Sequence, residues 1–151
     1  MTTSHELRAL RRDRTARVDG RTLSRGRGEA RPRILVVDDE PLLGETLGFI
    51  LEDRYDVVVV SGGAAALSEL ARDASFDLVL CDLDMPGVNG RAVYERVTNE
   101  HPALAPRFVL MTGGAFAPWA EEFLSHYRGA QLEKPFSTQD VEHLLETFPK
   151  T

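Results

Sequence analysis

The chain has 151 residues, 42% of them hydrophobic, enough for one domain with a proper core and something to spare. Its longest apolar runs, at 34–37, 57–60 and 78–81, fall far short of the roughly 18 residues of a membrane span, and its first residues lack the apolar segment of a secretory signal, so a cytoplasmic protein is expected. The net charge of −6 is divided: residues 1–31 carry nine arginines against four acids, net +5, and residues 32–151 carry nine basic against twenty acidic side chains, net −11.

Residues 1–31 are poor in large apolar side chains and run into Ser24-Arg25-Gly26-Arg27-Gly28-Glu29-Ala30-Arg31-Pro32, which buries too little to offset the entropy of ordering. They read as a disordered tail, with at most a frayed helix over 5–18, ahead of a folded domain at 32–151. A basic arm can meet nucleic acid, an anionic surface or an acidic partner; the simpler reading is a solvated extension without a function of its own. The arm has no aromatic residue on which a base could stack.

From Arg33 the pattern becomes regular. Residues 34–37 form a β-branched apolar run, hence a buried strand, with Asp38-Asp39-Glu40 directly at its end. Pro41 suits a first helical turn, and Leu43, Leu47, Ile50 and Leu51 share one face of the helix it opens. A second strand spans 56–60, Ser61-Gly62-Gly63 breaks it, and a helix follows over 64–71. That glycine pair is no dinucleotide fingerprint, because no third glycine comes at the needed spacing.

The third strand, 78–81, has no polar interruption and ends at Asp82-Leu83-Asp84-Met85-Pro86-Gly87, so Asp82 sits where the chain leaves the sheet. The lone cysteine, Cys81, has no disulfide partner within the chain and reads as a small buried hydrophobe. Asn89-Gly90 opens a helix to about 100, with Val93 and Val97 inward, closed by His101-Pro102. Strand four, 108–111, ends in Thr112-Gly113-Gly114. A helix from about Pro118 spaces Trp119, Phe123 and Tyr127 four apart, a stripe for the core or for a partner. A short fifth strand, 130–133, ends at Lys134-Pro135-Phe136. Ser137 and Asp140 have capping-box spacing, and Val141, Leu144, Leu145 and Phe148 trace the inner face of the last helix. Five strands alternating with five helices predict an α/β, doubly wound, five-stranded parallel sheet with helices on both faces.

Short right-handed crossovers bring the ends of strands one, three, four and five to one edge, where such sheets bind ligands. Asp38, Asp39, Asp82, Thr112 and Lys134 gather there. Taken alone, Asp82 could equally be a loop acid capping the next helix. Three carboxylates in contact repel unless a cation sits among them, and oxygen-only ligands point to Mg²⁺. Zinc does not fit, because His5, His101, His126 and His143 are scattered. A carboxylate can attack a phosphoryl group in line when a metal and a cation neutralise its oxygens, which makes Asp82 the nucleophile, Lys134 a charge sink and Thr112 a hydroxyl donor.

Residues 33–148 resemble a response-regulator receiver domain: ILVVDDEP, LVLCDLDMPGVNG, VLMTGG and LEKPF each match a family motif, in family order. The resemblance implies a flavodoxin-like fold with strand order 2-1-3-4-5, and Asp82 taking phosphate from the phosphohistidine of a sensor histidine kinase or a histidine phosphotransfer protein. It implies that Asp39, Asp82 and the backbone carbonyl of Asp84 bind Mg²⁺ directly, Asp38 through water. It also implies that Lys134 pairs with the phosphoryl group before a cis Lys134-Pro135 bond, and that Thr112 turns toward the phosphate. The output face, made of the fourth helix, fifth strand and fifth helix, would carry the message to a downstream protein. Three residues before the lysine, receivers usually place an aromatic switch; Gln131 stands there, and it is not expected to act as one. Asp84 can tune phosphate lifetime through the attacking water, or simply be a solvent-facing acid.

Two other classes compete. Phosphatases of the haloacid dehalogenase type use an Asp-x-Asp pair like Asp82-Leu83-Asp84, but on the first strand and with Thr or Val two residues beyond, where Pro86 stands here. A DNA- or anion-binding protein would act through residues 1–31; no DNA-binding module follows the domain and the domain is acidic, so nucleic acid is not an expected partner. The expected protein is a stand-alone receiver that acts through partners, as a relay intermediate, a phosphate sink or a phosphorylation-dependent binder; one cut from a hybrid kinase would look the same from Arg33 onward.

Overall fold

Unbroken aliphatic runs become strands here because both faces of each find a helix to pack against. The computed structural model describes residues 17, 18, 21, 22, 31–114 and 116–147. Strands β1 (Arg33–Val37), β2 (Asp56–Val60), β3 (Leu78–Asp82), β4 (Phe108–Thr112) and β5 (Ala130–Glu133) lie parallel in the order 2-1-3-4-5. They alternate with helices α1 (Pro41–Leu51), α2 (Gly63–Arg72), α3 (Gly90–Glu100), α4 (Pro118–His126) and α5 (Thr138–Glu146). This is the expected flavodoxin-like architecture.

Alternation along each strand builds two cores. Leu35, Val37, Val79, Cys81, Phe108 and Leu110 face Ala66, Leu70, Val93, Val97 and Ala120 of α2, α3 and α4. Ile34, Val36, Leu78, Leu80, Val109 and Met111 face Leu47, Leu51 and Val141 of α1 and α5. Residues 34–37 and 79–81 are all fully buried, each worth about 1.5–3 kcal/mol of transfer free energy for its larger side chains. The register pairs Val37 with Val60 and Cys81, Asp82 with Met111, and Thr112 with Glu133, so the ends of β1, β3, β4 and β5 come out side by side.

The opposite edge of the sheet is laced together by Arg33. Its guanidinium lies 3.6 Å from Asp56 and 3.2 Å from Asp73, donates to the Ser75 carbonyl and hydroxyl at 2.6 Å, and stacks 4.5 Å from the centre of the Phe76 ring. Its backbone N–H donates to Asp77 at 2.8 Å. The Ser75 hydroxyl and amide, helped by Arg33, hold the Asp73 carboxyl down to about 2.

Helix boundaries follow the sequence signals. Asn89 accepts from the Ala92 N–H at 2.9 Å, Ser137 and Asp140 form the capping box, and Pro41 and Pro118 occupy first turns. Three features differ from expectation. A 3₁₀ turn at Ala105–Arg107 carries the chain from α3 into β4. Val59, on the edge strand, is 38% exposed; Gly44 and Gly48 let α1 close onto it, since a Cβ on either would meet its methyls at 3.1 and 2.9 Å. Arg17–Val18 pairs antiparallel with Arg21–Thr22 beside β2, so the helix expected over 5–18 does not include its last two residues. The rest of that helix, the disorder expected of the tail, and Phe148 lie outside the described residues.

The glycine pair after β2 has a packing reason. Gly62 takes φ +130°, and a Cβ on Gly63 would lie 2.1 Å from the Val88 carbonyl oxygen, in the loop between β3 and α3. Gly63→Ala is expected to push that loop away and to cost about 2 kcal/mol, read as a shift of the urea midpoint without a change in slope. An unshifted midpoint would mean that the loop yields freely.

Candidate functional site

Each charged residue at the site is delivered by the end of a buried strand. Asp38 and Asp39 follow β1; Asp38 is 1% exposed, and its Oδ1 accepts from the Glu40 N–H at 2.9 Å, which fixes the carboxylate. Asp82 closes β3 and is 7% exposed. Thr112 closes β4 and is buried, and its carbonyl accepts from the Lys134 N–H at 2.6 Å, tying the end of β5 to the end of β4. The Lys134-Pro135 bond is cis, as expected.

The side chains converge. One oxygen each from Asp38, Asp39 and Asp82 lies within 4.8 Å of the others, and the Lys134 ammonium stands 3.3 Å from both Asp38 and Asp82. Burial pushes the Asp82 carboxyl up to about 6; repulsion from Asp38 and Asp39 adds to this, and Lys134 opposes it. Burial by itself would lower the Lys134 pKa, but attraction to Asp82 and Asp38 outweighs it and the ammonium is held above the ordinary lysine value. Burial, with Asp82 and Asp38 near, raises the Cys81 thiol and keeps it protonated; it donates to the Asp82 carbonyl at 3.4 Å. An all-oxygen nest, two of its three carboxylates buried, fits a hard divalent cation that retains part of its water. Among the described residues the metal-binding cluster is Asp38, Asp39 and Asp82, with no histidine in it.

Glycine sets the loop below Asp82. The Gly90 N–H donates to the Leu83 carbonyl at 2.9 Å, and a Cβ on Gly90 would lie 2.5 Å from the Asp82 carbonyl oxygen, so α3 begins directly against the acid's own backbone. Gly87, at φ +75°, turns the chain between them. Gly113 gives the Lys134 stem room, a Cβ there meeting the Lys134 Cβ at 3.1 Å. Asp84 is exposed and borders the site; Gln131 is exposed on β5.

The site opens into a cleft of about 560 Å³. Asp82, Asp84, Thr112 and Lys134 line it, and so do Glu40, Leu43, Phe116, Trp119 and Phe136, a lining that sequence reasoning missed. The only available signal was the aromatic stripe on α4, and that stripe divides. Phe123 and Tyr127 join Tyr94 and Phe108 in edge-on and tilted ring contacts of 5.0–6.1 Å, with the Tyr127 hydroxyl donating to the Phe108 or Ala130 carbonyl, each at 3.0 Å. Trp119 packs on the core with part of its surface and faces the cleft with the rest.

Comparison with known proteins agrees with this geometry. The profile of the response regulator receiver domain matches residues 34–146. The sensor protein GacS of Pseudomonas syringae pv. syringae is 36% identical over 121 residues, 76% of this chain and 13% of that protein. The transcriptional activator protein PfeR of Pseudomonas aeruginosa is 35% identical over 114 residues, 74% of this chain and 35% of that protein. The chain thus spans about a third or less of these relatives. Among solved structures, the receiver domain protein of Clostridium thermocellum superposes with a TM-score of 0.66 at 26% identity, over 76% of this chain and 91% of that one. The Vibrio cholerae chemotaxis protein CheY4 shares the fold with a TM-score of 0.68 at 23% identity, over 80% of this chain and all of that one. With its nest of strand-end acids, its paired lysine and its strand order, the chain belongs to the response-regulator receiver domain family.

Proposed function

We propose that Asp82 is the phosphoryl acceptor of this two-component receiver, that Asp39, Asp82 and the backbone carbonyl of Asp84 hold Mg²⁺ directly with Asp38 behind a water, and that Lys134 and Thr112 bind the transferred group. The observation that carries this is the Lys134 ammonium, 3.3 Å from both Asp38 and Asp82 inside a cluster of three carboxylates. Bound Mg²⁺ supplies neutralisation of the phosphoryl oxygens. The rest is done by the chain. Asp82, ionised at neutral pH, attacks phosphorus while the bond to the donor's nitrogen breaks; Lys134 offsets the charge that arrives; the Thr112 hydroxyl donates to the new phosphate.

The donor is a phosphohistidine of a sensor histidine kinase or a histidine phosphotransfer protein, and the readout is altered binding of a downstream protein in the cytoplasm. A phosphoryl group brings about −1.5 to −2 of charge, enough to bias the Gly113-Gly114 loop that follows Thr112. The protein catalyses only its own phosphotransfer and slow dephosphorylation. No helix among the described residues is long and apolar enough to cross a membrane.

The test is to incubate the full chain with acetyl phosphate and Mg²⁺ and to measure intact mass and the modified peptide. One phosphoryl group on Asp82 is expected; none, or one elsewhere, overturns the assignment. Trp119 is the sole tryptophan and lines the same cleft, so Mg²⁺ addition is expected to change its fluorescence saturably in the wild type and more weakly in Asp39→Asn. A titration with no saturable change would place the cation elsewhere.

A further inference from the structure

The lining of the cleft at Asp82 is of two chemical kinds. Asp82, Asp84, Thr112 and Lys134 are polar or charged; Phe116, Trp119 and Phe136 are aromatic. At about 560 Å³ it falls in the range of sites that enclose a whole organic ligand, roughly 300–1,000 Å³, and exceeds what a phosphoryl group and one ion fill. In-line transfer supplies a natural occupant for the remainder. The nucleophile stands on one side of the phosphorus and the leaving group departs on the other, so the space beyond the phosphoryl position belongs to the donor.

Charge decides which kind of leaving group suits that space. The cleft carries Glu40 and Asp84 in addition to Asp82, so a departing carboxylate meets both acid repulsion and an apolar wall. A neutral flat ring meets neither penalty and can stack on an indole. Trp119 is available for this, since Phe123 and Tyr127, on the same stripe, are taken up by the ring cluster with Tyr94 and Phe108.

We propose that the Phe116, Trp119 and Phe136 wall is a subsite for the heteroaromatic leaving group of the donor, with Trp119 as its main contact, so that the site prefers N-phosphorylated imidazoles to acyl phosphates. This rests on Asp82 being the acceptor. In the step, the phosphorus–oxygen bond to Asp82 forms as the phosphorus–nitrogen bond of ring-protonated phosphoimidazole breaks. The electron pair returns to that nitrogen, the proton on the other nitrogen stays, and neutral imidazole leaves.

The experiment measures initial phosphorylation rates of the full chain by intact mass, with Mg²⁺ and equal concentrations of phosphoimidazole or acetyl phosphate. Wild type is expected to favour phosphoimidazole, Trp119→Ala to lower the ratio of the two rates about fivefold, and Trp119→Phe to retain most of it. An unchanged ratio in Trp119→Ala, including one in which both rates fall together, overturns the subsite, and so does a Trp119→Phe ratio no better than that of alanine. If acetyl phosphate modifies Asp82 but the ratio does not respond, only the subsite is lost. If neither donor modifies Asp82 in the wild type, the acceptor assignment and the subsite fall together.

Discussion

Asp82→Asn should take up no phosphoryl group from any donor and yet, in the absence of divalent cations at pH 7.5, should unfold at a higher temperature than the wild type. The first half follows from loss of the nucleophile. The second follows from burial, which pushes the Asp82 carboxyl up to about 6 with help from Asp38 and Asp39, so its charged form is held against the preference of the fold. Between 3.8, the ordinary aspartate value, and about 6 the folded chain keeps a proton that the unfolded chain has already lost. Stability therefore falls as pH rises through that window, and stays lower above it. A neutral amide removes the penalty. Partial screening by solvent and the loss of one Lys134 partner reduce the gain to about 1–2 kcal/mol, roughly 5 °C in Tm. The gain should largely disappear by pH 4, where the folded wild-type carboxyl is protonated and the unfolded one partly so, and should vanish well below 3.8. Mg²⁺ should narrow the difference, because it stabilises the protein that retains all three acids more than the one that lacks Asp82. Thermal melts of both proteins at pH 4 and 7.5, with EDTA or with Mg²⁺, check each part. A variant less stable than wild type in EDTA at pH 7.5 would mean that the Asp82–Lys134 attraction outweighs the strain among the acids.

Lys134→Met should move stability in the opposite direction. It leaves Asp38, whose side chain has no exposed surface, and Asp82 without the ammonium that stands 3.3 Å from each. Removing one partner of a buried ion cluster costs more than the cluster contributes as a whole, because the remaining charge is stranded; with Lys134 itself 22% exposed, about 2–3 kcal/mol is expected at pH 7.5. The deficit should shrink near pH 5, where Asp82 takes up a proton, and added Mg²⁺ should recover part of it. Phosphotransfer should slow by about 10²–10³, the loss typical when one preorganised donor to developing charge is removed. Urea unfolding at the two pH values and mass-detected phosphorylation measure these effects. Equal stability at pH 7.5 would show that the acids do not depend on Lys134.

These effects could be anticipated from sequence because buried parallel strands advertise themselves. Residues 34–37 and 78–81 have no polar interruption since helices cover both faces, and the first polar residues after them, Asp38 and Asp82, must then emerge at the same edge. Thr112 was legible by the same logic, closing the apolar run of β4; Lys134 follows the mixed Ala-Gln-Leu-Glu strand β5, and its place was read from the count of strands and the match of LEKPF to the family motif. The aromatic wall was not. Whether Trp119 faces core or cleft depends on the path of the loop between β4 and α4, and a spacing of four residues is the same in both cases. The contact of Gly63 with Val88 was equally silent, since it joins the start of α2 to a loop that no periodicity relates to it. Val59 belongs to an apolar run like the others, and only its place at the sheet edge exposes it.

The lacing around Arg33 gives the sheet two unlike ends. At one, a single guanidinium binds β1 to the start of β2 and to the segment leading into β3 through several neutral and charged contacts. At the other, the acids hold together chiefly through one lysine. Thermal fraying should thus begin at the signalling end, while the laced end acts as a clamp. The loops near Asp82 can then rearrange without the scaffold coming apart, and a substitution that loosens the clamp would blur the signal far from any phosphate.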